Sequence, residues 1–285
     1  MANETLTAQI PGIIEDIQAE ALLIMQDTAG VLDLVRVRDT EGEAGKTVDF
    51  PIYGQVASSA VAIVAEGTDV STNHQITNTA TSATVTENVI MSFISDLSLM
   101  SSNRDFIGDV AQLFASGMKA KLEDAIVGLA ATFSQTLAGA AATMTLADWY
   151  TAISNIKAAN GDLMQVNAII SPKQYWGAKG LRALLVDGSG AATLSDEFQT
   201  KGFVSNPFGM KVAVSNEINE DVASGGDAAG MIFTKGAIGV HLKGLIGVAE
   251  ERDESARGFQ LVGVGRWKAV ELVDLWGNYF LSDVA

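Results

Sequence analysis

The sequence predicts an α+β fold, and two observations carry the prediction. Apolar residues recur at helical spacing in some stretches and at every second position in others. Neither an internal repeat nor a Pro-rich linker divides the chain, which holds four Pro in 285 residues. Non-sequential strands are therefore expected to meet in a shared sheet.

Taken in order, residues 1 to about 34 read as an arm. Ile10, Ile13, Ile14, Ile17, Ala21, Ile24 and Met25 form a helical stripe that so short a helix cannot bury alone. From Lys46 the period changes to two. KTVDFPIYGQV and SAVAIVAEGTDV read as strands joined through Gly54 and Gln55, followed by the polar run STNHQITNTATSATVTENV. Neither Lys nor Arg occurs between Thr47 and Asn103, so this Val, Ile, Thr and Ser-rich segment is poor solvent-facing material. Alone it is a marginal hairpin with open strand edges, a loop that expects a neighbour.

The clearest helix starts near Asp105, where Ser102 and Asp105 have capping-box spacing. Phe106, Val110, Leu113, Phe114, Gly117, Leu122, Ala125, Ile126 and Leu129 share its stripe, over about 25 residues. Thr145 with Asp148 caps a second helix carrying Trp149, Ile153 and Ile156, which Asn160-Gly161 ends in the left-handed region. MQVNAIIS reads as a buried strand, and Ser171-Pro172 opens the helix PKQYWGAKGLRALL. Asp187 to Gly190 and Ser224 to Asp227 are loops, with the strand FGMKVAVSNEI between them. MIFTKGAIGVHLKG, LIGVAEERDE, GFQLVGVGRW and KAVELVDLWGNYFL complete the chain as strands.

Composition excludes several functions. With 34 Asp plus Glu against 18 Lys plus Arg, the net charge is -16, which opposes generic nucleic-acid binding. Cys is absent, so disulfides, thiolate metal sites and cysteine nucleophiles are excluded. His74 and His241 are too few for a histidine metal site. The N-terminal MANETLTAQIPGIIED carries no secretory signal, and an intracellular protein is expected. The uncharged stretch Ala125 to Thr145 is dominated by small residues, and reads as a buried helix end and a connection rather than a membrane span.

The chemical motifs resolve into structural ones. TEGEAGKT, Thr40 to Thr47, lacks the first Gly of a phosphate loop and precedes a strand, so it is a turn. The Gly-Val-Gly at 263 to 265 lies within a strand and marks close backbone approach. Glu250, Glu251, Asp253 and Glu254 have no calcium-loop spacing, and read as a solvated strand end paired with Arg252 and Arg257. His241 is expected at an interface or surface. The four Trp are expected as core or interface anchors. No catalytic residue, metal ligand or cofactor is assigned. A flexible apolar arm and an uncharged loop make sense when other copies cover them, which describes a self-assembling structural protein.

The order of segments resembles the major capsid proteins of tailed bacteriophages with the Hong Kong 97 fold. KTVDFPIYGQVASSAVAIVAEGTDVS is similar to that family's extended loop, with its strand, Pro, small residues and Glu66-Gly67. VTENVIMSFISDLSLMSSNRDFIGDVAQLFASGMKAKLEDAIVGL resembles the strand leading into the spine helix of the peripheral domain. VNAIISPKQYWGAKGLRALLVDGSG is similar to the axial domain, and FGMKVAVSNEI with the closing strands resembles the family's last third.

The resemblance implies an arm over residues 1–40, an extended loop over 41–80, and a peripheral domain from 81–135 and 245–265 with its spine helix at about 103–131. The axial domain follows as 136–244 and 266–285. It further implies hexamers and pentamers closing an icosahedral head, with double-stranded DNA enclosed and not specifically bound. Scaffolding and portal proteins and, in some members, a decoration protein are the implied partners. The virion is the implied location, with assembly in the host bacterial cytoplasm and no membrane. Phe50, Tyr53, Val61, Ile63, Val64 and Glu66 of the loop, and Ile10, Ile13, Ile14 and Ile17 of the arm, are the implied assembly contacts. The arm starts close to Met1, so a separate scaffold or none is expected. Some members crosslink through a loop Lys, and no Lys occurs here between Thr47 and Asn103, so crosslinking by that route is not expected. Encapsulins, shells of the same fold that hold cargo enzymes, are the alternative.

Overall fold

The computed structural model describes residues 30–54, 56–69, 73–97, 106–186, 207–222 and 225–284. The arm stripe, the Ser102 and Asp105 cap and the loop at 187–190 lie outside the described residues. The strands and helices of the first half are β1 (Arg36–Asp39), β2 (Thr47–Tyr53), β3 (Asn78–Thr84), β4 (Thr86–Ser95), α1 (Phe106–Val127), β5 (Thr136–Ala138) and α2 (Leu146–Ala158). Then come β6 (Val166–Ile170), α3 (Pro172–Trp176), α4 (Leu181–Val186), β7 (Lys211–Val214), β8 (Asp227–Thr234), β9 (Ile238–Leu242), β10 (Gly247–Asp253), β11 (Gly258–Glu271) and β12 (Gly277–Asp283).

Non-sequential strands do meet. The first sheet has the order β1-β9-β11-β10, with β4 also paired to β11. The second runs β5-β12-β8-β6-β7, and β2 with β3 forms a separate hairpin. GFQLVGVGRW and the start of KAVELV are one strand of 14 residues, β11. The interruption comes later, at the 3-10 turn Asp274–Trp276.

Helix α1 lies on the first sheet. Val110, Phe114, Met118, Leu122 and Ile126, four residues apart, are buried with Ala115 and Val127. Leu113, expected in the stripe, is exposed, because the helix turns its other flank to the sheet. At Gly263 a Cβ would stand 2.9 Å from Ile90 of β4 and 3.1 Å from Phe114 of α1, so this glycine of β11 makes room for the helix.

The second sheet is covered on both faces. Ile169, Met231 and Phe233 enter the core shared with α1, while Ala168, Ile170, Ile232 and Phe280 face Trp149 and Ile156 of α2. Every residue of β6 is buried, as its continuous apolar run predicts. Asp148 accepts from Thr145 N at 2.8 Å, and Asn160 has φ 58, the expected start and stop of α2. Ser171 and Gln174 cap α3 reciprocally, at 3.0 and 3.1 Å. The helix expected to continue to Leu185 is broken instead. Side chains at Gly177 and Gly180 would strike the carbonyls of Lys173 and Gln174, so the GAKG turn separates α3 from α4. The connection after α1 holds a strand that its small residues did not announce, β5, paired in parallel with β12.

Gln174 is fully buried and ties α3 to the sheet. Its Nε2 donates to Ala228 O at 3.0 Å and to Ser282 Oγ at 2.9 Å.

Two outcomes test this packing. Gly263→Val is expected to cost about 1–3 kcal/mol by overpacking the helix seat, read as a lower denaturant midpoint. Gln174→Leu leaves buried carbonyl groups unpaired and is expected to cost about 1–3 kcal/mol in the same measurement. An unchanged midpoint in either variant contradicts the corresponding contact.

Candidate assembly surface

The β2–β3 hairpin pairs Thr47 with Thr84 through to Tyr53 with Asn78. Its second strand is therefore not SAVAIVAEGTDV, as alternation suggested, but the polar NTATSAT. Ser58–Ala60 forms a 3-10 turn, and Val61 to Asp69 contains no strand. A strand there would have left two apolar faces in water, whereas the Thr-rich run tolerates exposure.

The hairpin is moored at its base. Phe50 is 1% exposed and packs with Ala83 and Leu272, with Val48, Ile52, Val270 and Val273 around them. Phe50 thus serves attachment within the chain and presents no surface to a neighbour, unlike the expectation for it. The guanidinium of Arg36 lies over its ring at 5.7 Å. Arg38 Nη1 donates to Asp49 O at 3.1 Å.

His241 is also inside, at 0% exposure, where a position at an interface or surface was expected. The hairpin covers it. Its Nδ1 lies 3.0 Å from Ala83 O, and a carbonyl only accepts, so Nδ1 carries the hydrogen. In the neutral ring Nε2 then accepts from Thr40 Oγ1, at 2.7 Å. One imidazole joins the turn after β1, strand β3 and strand β9. Lys243 Nζ donates to Glu43 O at 2.8 Å and to Gly45 O, closing the 40–46 turn. That turn leads into a strand, as the TEGEAGKT reading required.

Beyond the mooring, the segment is bare. Tyr53, Val56, Val61, Val64 and Ile76 are exposed, Glu66 with them, and Ile63 is fully so at 103%. Of the loop contacts expected from sequence, all but Phe50 stand open. His74 is exposed too. A second apolar surface lies on β4, where Val89, Met91 and Phe93 are exposed while Ile90 and Ile94 face the α1 side. Sequence reading missed this strip. The signal was present in NVIMSFIS, which is apolar at both parities and so predicts two covered faces.

At the far end of β11, the β10–β11 turn carries the carboxylate cluster. Arg252 bridges Glu254 at 2.9 Å and Asp96 at 3.3 Å. Hydrogen bonds from Ser255 and the Ala256 amide hold the Asp253 carboxyl below its ordinary range, whereas burial pushes Glu250 up. These contacts make a turn, not a cation cage, and among the described residues no three acidic or histidine side chains stand where they could share a metal ion. No helix of the described residues is long and apolar enough to cross a membrane. Trp149 and Trp267 are core anchors, Trp276 is half-buried, and Trp176 is exposed.

Comparison with known proteins identifies the fold and the family. No curated protein matches the sequence. Among solved structures, the chain is similar to the capsid of cyanophage P-SCSP1u, at 18% identity and TM-score 0.63, covering 88% of this chain and 87% of that one. It is similar to a chain of Microbacterium phage Oxtober96, at 13% identity and TM-score 0.65, over 89% and 91%. A virus-like particle from Pyrococcus furiosus aligns at 12% identity and TM-score 0.61, over 94% and 98%. The fold is therefore the Hong Kong 97-like one that the order of segments suggested. The family described as phage capsid protein matches residues 78–273, from the second hairpin strand to the end of β11 and just beyond, and the chain belongs to that family.

Proposed function

We propose that this chain is a major capsid protein, whose copies gather as hexamers and pentamers and close an icosahedral head around double-stranded DNA. The family match over 78–273 carries the reading. The bare loop supports it, since Val61, Ile63 and Val64 are each worth about 1.5–3 kcal/mol once fully covered by another copy. The excess of acidic residues suits a container that holds DNA densely without adhering to it, because like charges keep the packaged duplex off the wall.

In this reading α1 is the spine helix of a peripheral domain built from 81–135 and 245–265. Residues 136–244 and 266–285 form the axial domain, 41–80 the extended loop, and 1–40 an arm that crosses to a neighbour through Ile10, Ile13, Ile14 and Ile17. Scaffolding and portal proteins act in assembly within the bacterial cytoplasm, and the finished protein resides in the virion. The role is structural and uses no catalytic residue. With no Lys between Thr47 and Asn103, the shell relies on noncovalent burial or on a decoration protein.

A second reading, a protein-filled compartment of the encapsulin type, draws on the similarity to the Pyrococcus virus-like particle. Particle contents separate the two: packaged nucleic acid supports the phage head, and co-purifying enzyme supports the compartment.

Ile63→Asp combined with Val61→Asp is expected to leave a folded chain that forms no closed particles. Light scattering and negative-stain imaging read the assembly, and circular dichroism reads the fold. Normal shells from this variant would overturn the assignment of the loop as an assembly contact.

A further inference from the structure

The charges of this chain are not spread evenly along β11. An open cleft at the hairpin base is lined by Gly45, Lys46, Val85, Thr86, Glu87, Lys243 and Arg266. Its lining carries three cations and one carboxylate, in a chain whose net charge is -16. Glu87 pairs with Arg266 at 2.8 Å. Lys243, half-buried, spends its hydrogen bonds on the carbonyls of Glu43 and Gly45, so its charge meets no carboxylate through them. Lys46 is exposed at the rim. Lys268, exposed, follows two residues along the same face of β11 as Arg266.

The opposite end of the strand is acidic. EERDE and the following Ser-Ala-Arg place four carboxylates against Arg252 and Arg257, and Asp96 adds a fifth. Glu250 is drawn inward and Asp253 is engaged by the turn, which leaves Glu251 exposed, and Glu254, though bridged to Arg252 at 2.9 Å, keeps 80% of its side chain exposed. Eight residues of extended strand separate Arg266 from Gly258, roughly 27 Å at ~3.4 Å per residue. That exceeds the Debye length of about 8 Å at physiological salt, so the two ends cannot satisfy each other within one chain.

We propose that the cleft at the hairpin base receives the acidic β10–β11 tip of a second copy of this chain. The two surfaces differ, so the contact is head-to-tail, and such contacts generate closed rings when the rotation between copies allows. This deepens the capsid reading and rests on it: the apolar loop supplies burial, and the tip and cleft supply direction and register. Carboxylates Glu251 and Glu254 face Lys46, with the fixed charge of Lys243 behind it. Contacts of this kind govern encounter and specificity more than bulk affinity.

The test is a charge swap in the full-length chain, with particles counted by light scattering and negative stain. Glu251→Lys with Glu254→Lys, and separately Lys46→Glu, are each expected to raise the concentration needed for assembly at least tenfold while leaving the melting temperature unchanged. The chain carrying all three substitutions is expected to recover part of the loss, because the carboxylate placed at position 46 then faces the cations placed at the tip, in a cleft left with two cations and two carboxylates. Single-end variants that assemble as the unaltered chain does would overturn the proposal. So would failure of the combined chain to recover, which would mean that the two ends do not meet. An unaltered chain that stays monomeric under all conditions removes the shell reading itself, and this inference with it.

Discussion

The backbone ladder of β11 is the constraint on which the other elements depend. Its amides and carbonyls must be paired wherever water is excluded, and three strands do this. β4 runs along one side, from Gly258 opposite Ser95 to Trp267 opposite Thr86. β10 and then β9 take the other side, with the crossing at Lys243 and Arg266. The same strand seats α1 at Gly263, places Trp267 in the core and supplies Val270 to the hairpin mooring. Helix, sheet and projecting loop therefore share one strand, and the hairpin is attached where β11 ends, beside β1 and β9.

That arrangement suits a protein whose contacts are made with copies of itself. The mooring is buried at Phe50 and His241 and tied at its exposed rim by Arg38 and Lys243, while the segment beyond it is bare. A stiff base with an uncovered tip lets a neighbour bury apolar side chains without first having to order the whole hairpin, so less conformational entropy opposes association. The exposed strip Val89, Met91 and Phe93 on β4 has the same character. In water these side chains contribute little to the stability of a single chain, and only burial against another copy would release their energy.

Where sequence reading succeeded, the signal was local. The caps at Thr145, Asp148 and Ser171, the stop at Asn160, the uniformly apolar β6 and the small residues of 263–265 each express a rule that acts within a few residues. Where it failed, the deciding partner was distant. The second hairpin strand went to NTATSAT because pairing with β2, not hydrophobicity, selected it. Leu113 lost its place to Met118 because the sheet chose the face of α1. His241 was expected at an interface or surface and Phe50 at an assembly contact, because the element that covers each lies far away in the chain, across 158 residues in the bond from His241 to Ala83.

The amino-acid sequence by itself determined the class of fold, the order of its segments and an uncharged apolar loop in need of cover, since composition and periodicity are properties of neighbouring residues. Only the tertiary structure decided which loop residues moor and which project, and that cations and carboxylates collect at opposite ends of β11. Burial and electrostatic potential are sums over residues brought together by the sheet, and no local pattern contains that sum.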